Sequence, residues 1–236
     1  MAKTSQKSAA EEKDPLKLSQ NRSSLTYTSC YCEENVWFLC EEIEKRVANA
    51  GASVSEDRLS RCFAVFISNP TKSVPIWCQR SSKDPRSVPV VWDYHVIFIF
   101  RGRGDAIKDS LGRENPSPAC ASSSWVYDMD SILTFPESFT VYFDASFGNE
   151  EQLKSRFRRL FRVISAKEYL KLFASDRSHM KRPDGSWAMP PPSYPTIVAK
   201  DGRKNNINEC IDVTNEQSLG QIMNAKQFYE FFAQPD

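Results

Sequence analysis

Glycine is scarce in this chain, 8 in 236 residues, histidine occurs only twice, and no apolar run is long enough to span a bilayer. With no glycine-rich turn opening a helix, a phosphate-cradling nucleotide loop is excluded. Charge of either sign is not in excess: 31 basic residues face 30 acidic ones, for a net +1. No bulk field therefore draws the chain to nucleic acid or to an anionic membrane. The N-terminal stretch is polar and carries no apolar signal-peptide core. Seven cysteines, an odd number without the regular spacing of a disulfide scaffold, predict free thiols in a reducing compartment, the cytoplasm or the nucleus. A Cys-x-x-Cys pair is missing, and the one-residue gap of Cys30-Tyr31-Cys32 departs from zinc-ligand spacing with no second close pair to complete it. No metal site is expected, and there are no internal repeats.

What is present fits one domain with a sizeable core. Residues 1–24 are rich in Lys, Ser, Glu and Gln and read as a disordered tail, leaving 25–236 as a single catalytic domain. Val36, Leu39, Cys40, Ile43 and Val47 fall on one helix face, predicting a helix from just after the cysteine pair to about Ala50, with Gly51 as its stop. Cys62 to Ile67 reads as a strand, with Val74 to Gln79 as its hairpin neighbour. Val88 to Phe100 reads as one long strand buried on both faces. Arg101 to Ser124 is a long, aperiodic connection, after which Trp125 to Met129 returns as an antiparallel neighbour. Phe135 to Phe147 reads as irregular, Glu150 to Arg159 as a short basic helix, and Phe161 to Ile164 as a strand. Ser165 with Glu168, and Asn224 with Gln227, are capping signals for two further helices, the last burying Phe228, Phe231 and Phe232. Ser175 to Pro195 is a second long loop. One helix followed by strands with few helices between them predicts an α+β fold, an antiparallel sheet with flanking helices.

The chemistry centres on Ser29-Cys30-Tyr31-Cys32-Glu33-Glu34. Glu33 and Glu34 suit a first helical turn. A cysteine there feels the same field, which favours thiolate, the nucleophilic form. A thiol nucleophile needs a base, and the base needs a group to orient it. His95, inside a strand, and Asp128, in the next one, are available. The order cysteine at a helix start, histidine on a strand, acid on the adjacent strand is that of papain-like and transglutaminase-like thiol enzymes. The same residues also read as core packing. Arg156, Arg158, Arg159 and Arg162 with interleaved Phe157 and Phe161 could touch RNA, but the neutral net charge favours a solvated helix face. Asp176-Arg177-Ser178-His179 reads as turn chemistry or as a substrate-facing wall.

Four stretches, Cys30-Tyr31-Cys32-Glu33-Glu34-Asn35, Trp92-Asp93-Tyr94-His95-Val96, Tyr127-Asp128-Met129-Asp130 and Phe173 to Met180, resemble the protein N-terminal glutamine amidohydrolase family. The resemblance runs from about Tyr27 to the last helix. It implies a papain/transglutaminase-like thiol hydrolase core and a triad of Cys32, His95 and Asp128. It implies conversion of an exposed N-terminal glutamine to glutamate with release of ammonia, a product that is arginylated in eukaryotes and read as a degradation signal. No cofactor is implied. Proteins or peptides with a free N-terminal glutamine are the expected partners of a monomer, without nucleic acid or membrane. The long 101–124 connection and the charged tail depart from the family pattern without interrupting a motif. Restriction to a first residue calls for groups that bind an α-ammonium; Glu33, Asp93 and Asp176 are the candidates, each also explicable as a capping or turn residue. Another thiol enzyme on the same scaffold, a peptidase or acyl transferase, and a non-enzymatic module using the proline-rich and aromatic loops, are the alternatives.

Overall fold

Alternation along two neighbouring strands decides the architecture. In β1 (Cys62–Ser68) and β4 (His95–Phe100), paired antiparallel, Ala64, Phe66, Val96 and Phe98 face one core, while Val65, Ile67, Ile97 and Ile99 face another. A strand that is apolar on both faces must be covered on both. The computed structural model describes residues 14–18, 24–49, 58–102 and 124–234, with the backbone of 107–108 and 114–115. Within these, β2 is Val74–Ile76, β3 Val90–Trp92, β5 Ile107–Lys108, β6 Glu114–Asn115, β7 Trp125–Tyr127, β8 Glu137–Ser138, β9 Leu160–Ser165 and β10 Gln221–Asn224. The main sheet has the order β10-β9-β1-β4-β7-β8, and every pairing in it is antiparallel.

One face is covered by α1 (Cys32–Asn49) and α3 (Ala166–Leu172), through Val36, Leu39, Ile43 and Tyr169. The other is covered by α2 (Phe139–Ser146) and α5 (Ala225–Ala233), whose Phe139, Phe228 and Phe232 pack with Phe147 and Phe161. Phe228 stacks on Phe161 at 4.0 Å between centroids. A further short helix, α4, is Ile207–Ile211. Both capping signals are used: Ser165 accepts from the Glu168 amide, and Asn224 with Gln227 forms a full capping box. Gly220, at φ +69°, leads into β10, and a Cβ there would lie 2.3 Å from the Val163 carbonyl oxygen.

The α+β class with an antiparallel sheet and flanking helices stands, as do the buried central strand and its antiparallel neighbour β7. Several expectations are corrected. Val88 to Phe100 is two strands broken at Asp93-Tyr94, and β2 pairs with β3 in a separate ribbon instead of with β1. Phe135 to Phe147 is not irregular throughout but holds a helix, because Phe139, Tyr142 and Ser146 recur at helical spacing and are buried, with Phe143 partly so. Glu150 to Arg159 is two 3₁₀ turns, Glu150–Gln152 and Ser155–Phe157. Arg159 and Arg162 are buried, not solvated. Arg159 pairs with Glu150, and the Arg162 guanidinium donates to the carbonyls of Cys210, Leu219, Asp212 and Asn215. Within the expected tail, Asp14 to Leu18 is ordered: Leu16 and Leu18 join the α1-side core, and Tyr127 donates to Asp14 at 2.6 Å. The rest of the tail before Ser24, the Ala50-Gly51 stop and most of the 101–124 connection lie outside the described residues.

Candidate active site

The site forms where α1 begins against the start of β4. Tyr31 accepts the first helical bond, from the Asn35 amide, and Asn35 clamps Thr28 with two hydrogen bonds, so the chain enters the helix at a fixed angle. Cys32 is then the first helical residue, and Cys30 lies in the preceding turn at φ +66°. Both line a cavity of about 490 Å³ with Trp92, Asp93, Tyr94, His95, Asp130 and His179.

His95 opens β4, is buried, and stacks on Trp92 with ring centroids 5.5 Å apart and planes 17° from parallel. Its Nε2 lies 3.1 Å from Asp128 Oδ1, and its Nδ1 is buried without a hydrogen-bond partner. Asp128, one residue past β7, is held from all sides: Gln79 and Tyr142 donate to Oδ2 at 3.0 and 2.8 Å, and the Asp130 amide donates to Oδ1 at 2.9 Å. Burial opposes ionisation of Asp128, but the His95 imidazole and these donors outweigh it and lower its pKa to about 2. Burial likewise opposes the imidazolium of His95, and the charge and hydrogen bond of Asp128, with Asp130 and Glu33 behind, raise its pKa above the ordinary value. His95, Asp128 and Asp130 bring ligand-type atoms within 4.8 Å of one another. Because both Asp128 oxygens already accept bonds, this set fits an oriented imidazole better than a metal centre.

The expectation that the helix start makes the Cys32 sulfur acidic is overturned. Burial first, then the charges of Glu33, Asp130 and Asp128, push this thiol well above the usual range, with a hydrogen bond from the Val96 backbone working the other way. The resting group is a neutral thiol, 3.7 Å from Glu33 Oε2.

The three candidates for an α-ammonium separate. Glu33 is fully buried beside Cys32; Tyr94 donates to Oε2 at 3.1 Å, and Oε1 makes no hydrogen bond, with His179 Nε2 at 3.5 Å. Asp93 sits at the exposed edge of the cavity and accepts from the Tyr94 amide. Asp176 is away from the cavity: its carboxylate closes a turn on the Ser178 amide and accepts from Asn205. It is a turn residue. The neighbouring residues do build a wall. Arg177 forms a buried, two-pronged ion pair with Glu34 at 2.9 Å and donates to the carbonyls of Pro192, Tyr194 and Pro195, and His179 reaches the cavity. Asp130 went unrecognised as a cavity residue, although it closes the Tyr127 to Asp130 motif; Tyr27 donates to it at 2.6 Å.

The profile of the N-terminal glutamine amidase family matches residues 27–232. A Bos taurus protein named protein N-terminal glutamine amidohydrolase is 40% identical over 212 residues, covering 90% of this chain and 89% of that protein. Proteins of the same name from Homo sapiens and Drosophila mojavensis are each 38% identical, over 211 and 207 residues, with 88–89% of each chain covered. The chain belongs to the N-terminal glutamine amidase family. The matched region begins at Tyr27, the residue that donates to Asp130, and so takes in every cavity group named above.

Proposed function

We propose that this chain hydrolyses the side-chain amide of an N-terminal glutamine in proteins or peptides, giving glutamate and ammonia, with Cys32 as nucleophile, His95 as acid–base and Asp128 as its orienting partner. The observation that carries this reading is the His95 ring itself: Nε2 is committed to a fixed carboxylate, while Nδ1 is buried and unpartnered in the wall of the cavity that Cys32 lines.

Because the resting thiol is neutral, deprotonation and attack are coupled. His95 Nδ1 takes the thiol proton as the Cys32 sulfur forms a bond to the amide carbon, and the carbonyl π pair moves to oxygen. When that pair returns, the C–N bond breaks and the imidazolium gives its proton to the departing nitrogen, which leaves as ammonia. Water adds to the thioester with its proton going to His95; the C–S bond breaks, and the proton returns to sulfur. Asp128, ionised and acceptor-only, holds the Nε2–H tautomer and stabilises the imidazolium. No cofactor enters the balance.

The α-ammonium is assigned to Glu33 Oε1. A buried carboxylate oxygen without a donor favours a cation, and the substrate brings one within a glutamine side chain's reach of the sulfur. An acylated or internal residue brings no charge and leaves the oxygen unpaired. Asp93 at the cavity edge is placed to meet the next substrate residue. Helix-start cysteine, strand histidine and following aspartate support a papain/transglutaminase-type core. The chemistry requires Cys32 reduced, which suits the cytoplasm or nucleus, and it needs one copy of the chain.

The test offers three peptides, with glutamine first, glutamine first but acetylated, and glutamine internal, and reads ammonia and product mass. Ammonia and the amide-to-acid mass change from the first peptide alone are expected. A cleaved chain, an amine adduct, or equal turnover of the acetylated peptide overturns the reading.

A further inference from the structure

Buried polar side-chain atoms almost always find a partner, so those that do not call for a reason. Among the described residues, several of these atoms gather at one place: His95 Nδ1, Trp92 Nε1 and His179 Nδ1 on cavity residues, and Glu33 Oε1 behind Tyr94 and His179. Their polarities differ. Glu33 only accepts, the imidazoles do either, and an indole nitrogen only donates. The proposed reaction uses His95 and Glu33. It leaves Trp92 and His179 unexplained, and of the two only the indole is confined to donating.

We propose that the Trp92 indole N–H is an oxyanion donor, acting with the Cys32 backbone amide. The inference rests on the glutamine-deamidation reading above and supplies what that reading lacks. Cys32 is the first residue of α1, so its amide is among the helix-start donors that have no intrahelical acceptor. That gives one donor where the sulfur attacks. An indole N–H needs an acceptor, and only one acceptor develops at the reacting carbon: the amide oxygen, which gains full charge in the tetrahedral intermediate. The departing nitrogen gains a proton and needs none. Trp92 lies on the face of the His95 ring, 5.5 Å between centroids, so the stack fixes the donor relative to the base. Tyr94 is the competing donor in this wall, but its hydroxyl is spent on Glu33 Oε2. Trp37 Nε1 is also buried without a partner, yet Trp37 does not line the cavity.

In the attack step the sulfur–carbon bond forms, the carbonyl π pair becomes an oxygen lone pair, and the thiol proton moves to His95. Trp92 donates a hydrogen bond to that oxygen and transfers no proton. Its contribution is therefore largest in the transition state, and removal should act on kcat more than on KM.

The test replaces Trp92 by Phe, and by a benzothiophene analogue of tryptophan that keeps the bicyclic shape and loses only the N–H. Ammonia release from a peptide beginning with glutamine is measured beside alkylation of Cys32 by iodoacetamide. Alkylation uses the same sulfur and base but forms no oxyanion. The expected result is a fall in kcat of about 10²–10³ for both variants, with KM within threefold and alkylation close to the wild-type rate. Retention of more than a third of kcat by the benzothiophene variant overturns the assignment, and so does loss of alkylation in step with kcat, which would make Trp92 a support for His95. A wild-type protein that releases no ammonia sinks the underlying reading instead.

Discussion

His95 meets Asp128 through Nε2, 3.1 Å from Oδ1, and this choice of nitrogen leaves Nδ1 buried and without a hydrogen-bond partner on a residue that lines the same cavity as Cys32. Asp128→Asn keeps the shape and removes the charge. It should lower kcat by about 10²–10⁴, the scale of a lost acid–base group or a wrong tautomer. The acid limb of kcat/KM should also move to lower pH, because the Asp128 charge is what raises His95. Ammonia release across a pH series checks both, and an unmoved limb refutes the pairing.

Cys32 and Cys30 line one cavity, but only Cys32 is on the helix. Cys32→Ala and Cys32→Ser should abolish ammonia release. Cys30→Ala should keep more than a third of it, since Cys30 sits at φ +66°, where alanine is no more strained than cysteine. Iodoacetamide followed by peptide mapping should find Cys32 modified in step with inactivation.

The pH profile should be a bell displaced to alkaline pH. In the proposed reaction, activity needs a single proton shared between Cys32 and His95. It therefore rises as His95 loses its proton above the ordinary histidine value and falls only where Cys32 ionises, well above the ordinary thiol value. Asp130 raises both groups. Asp130→Asn should shift both limbs toward acid, and a one-sided shift would contradict a common field. Stability has its own window. The Asp128 pKa is lowered to about 2, so its contribution is whole above the unfolded value near 4 and is lost as pH falls toward 2. Acid unfolding of Asp128→Asn should start from a lower stability at neutral pH and be less steep in that window.

Sequence periodicity reveals the elements that carry the three proposed catalytic residues. The helix face from Val36 to Ile43 and the two-sided apolar runs of β1 and β4 are patterns of solvent exclusion, and tertiary packing has no reason to override them. Cys32, His95 and Asp128 are legible as candidates because each lies at or just beyond the end of a helix or strand. The partners are not. Glu33 and Glu34 look like first-turn acids drawn by a helix dipole, and nothing near them in sequence announces that Arg177 and His179, more than 140 residues on, bury them. Asp176 and Arg177 are adjacent and equally polar, yet one closes a surface turn and the other anchors the wall. The weak acidity of Cys32 is not legible because the dipole is local, whereas burial, the largest opposing effect, comes from packing, and the charge of the adjacent Glu33 is joined by those of Asp130 and Asp128 from a distant strand end.

Substrate charge should be read by Glu33. Glu33→Gln leaves an acceptor and adds a donor where the α-ammonium is assigned. For a peptide beginning with glutamine, kcat/KM should fall by about 10–100-fold, the worth of a charged hydrogen bond, while the ratio between free and acetylated peptides narrows. An unchanged ratio moves ammonium recognition to Asp93 or Asp130, both at the same cavity.

The Arg177–Glu34 pair should matter to stability before it matters to chemistry. Both side chains are almost fully buried, 6% and 0% exposed, and the guanidinium also ties down the Pro192 to Pro195 carbonyls. Arg177→Ala strands the Glu34 carboxylate in the core beneath the helix that carries Cys32, at a cost of about 3–5 kcal/mol. Replacing both partners together, Glu34→Leu with Arg177→Met, removes the stranded charge and should recover most of that loss in a denaturant titration. The same double variant should still turn over more slowly than wild type, because the Pro192 to Pro195 carbonyls lose the donor that fixed them and His179, two residues on, loses its anchored neighbour. Full recovery of both stability and kcat would show that the ion pair serves folding alone.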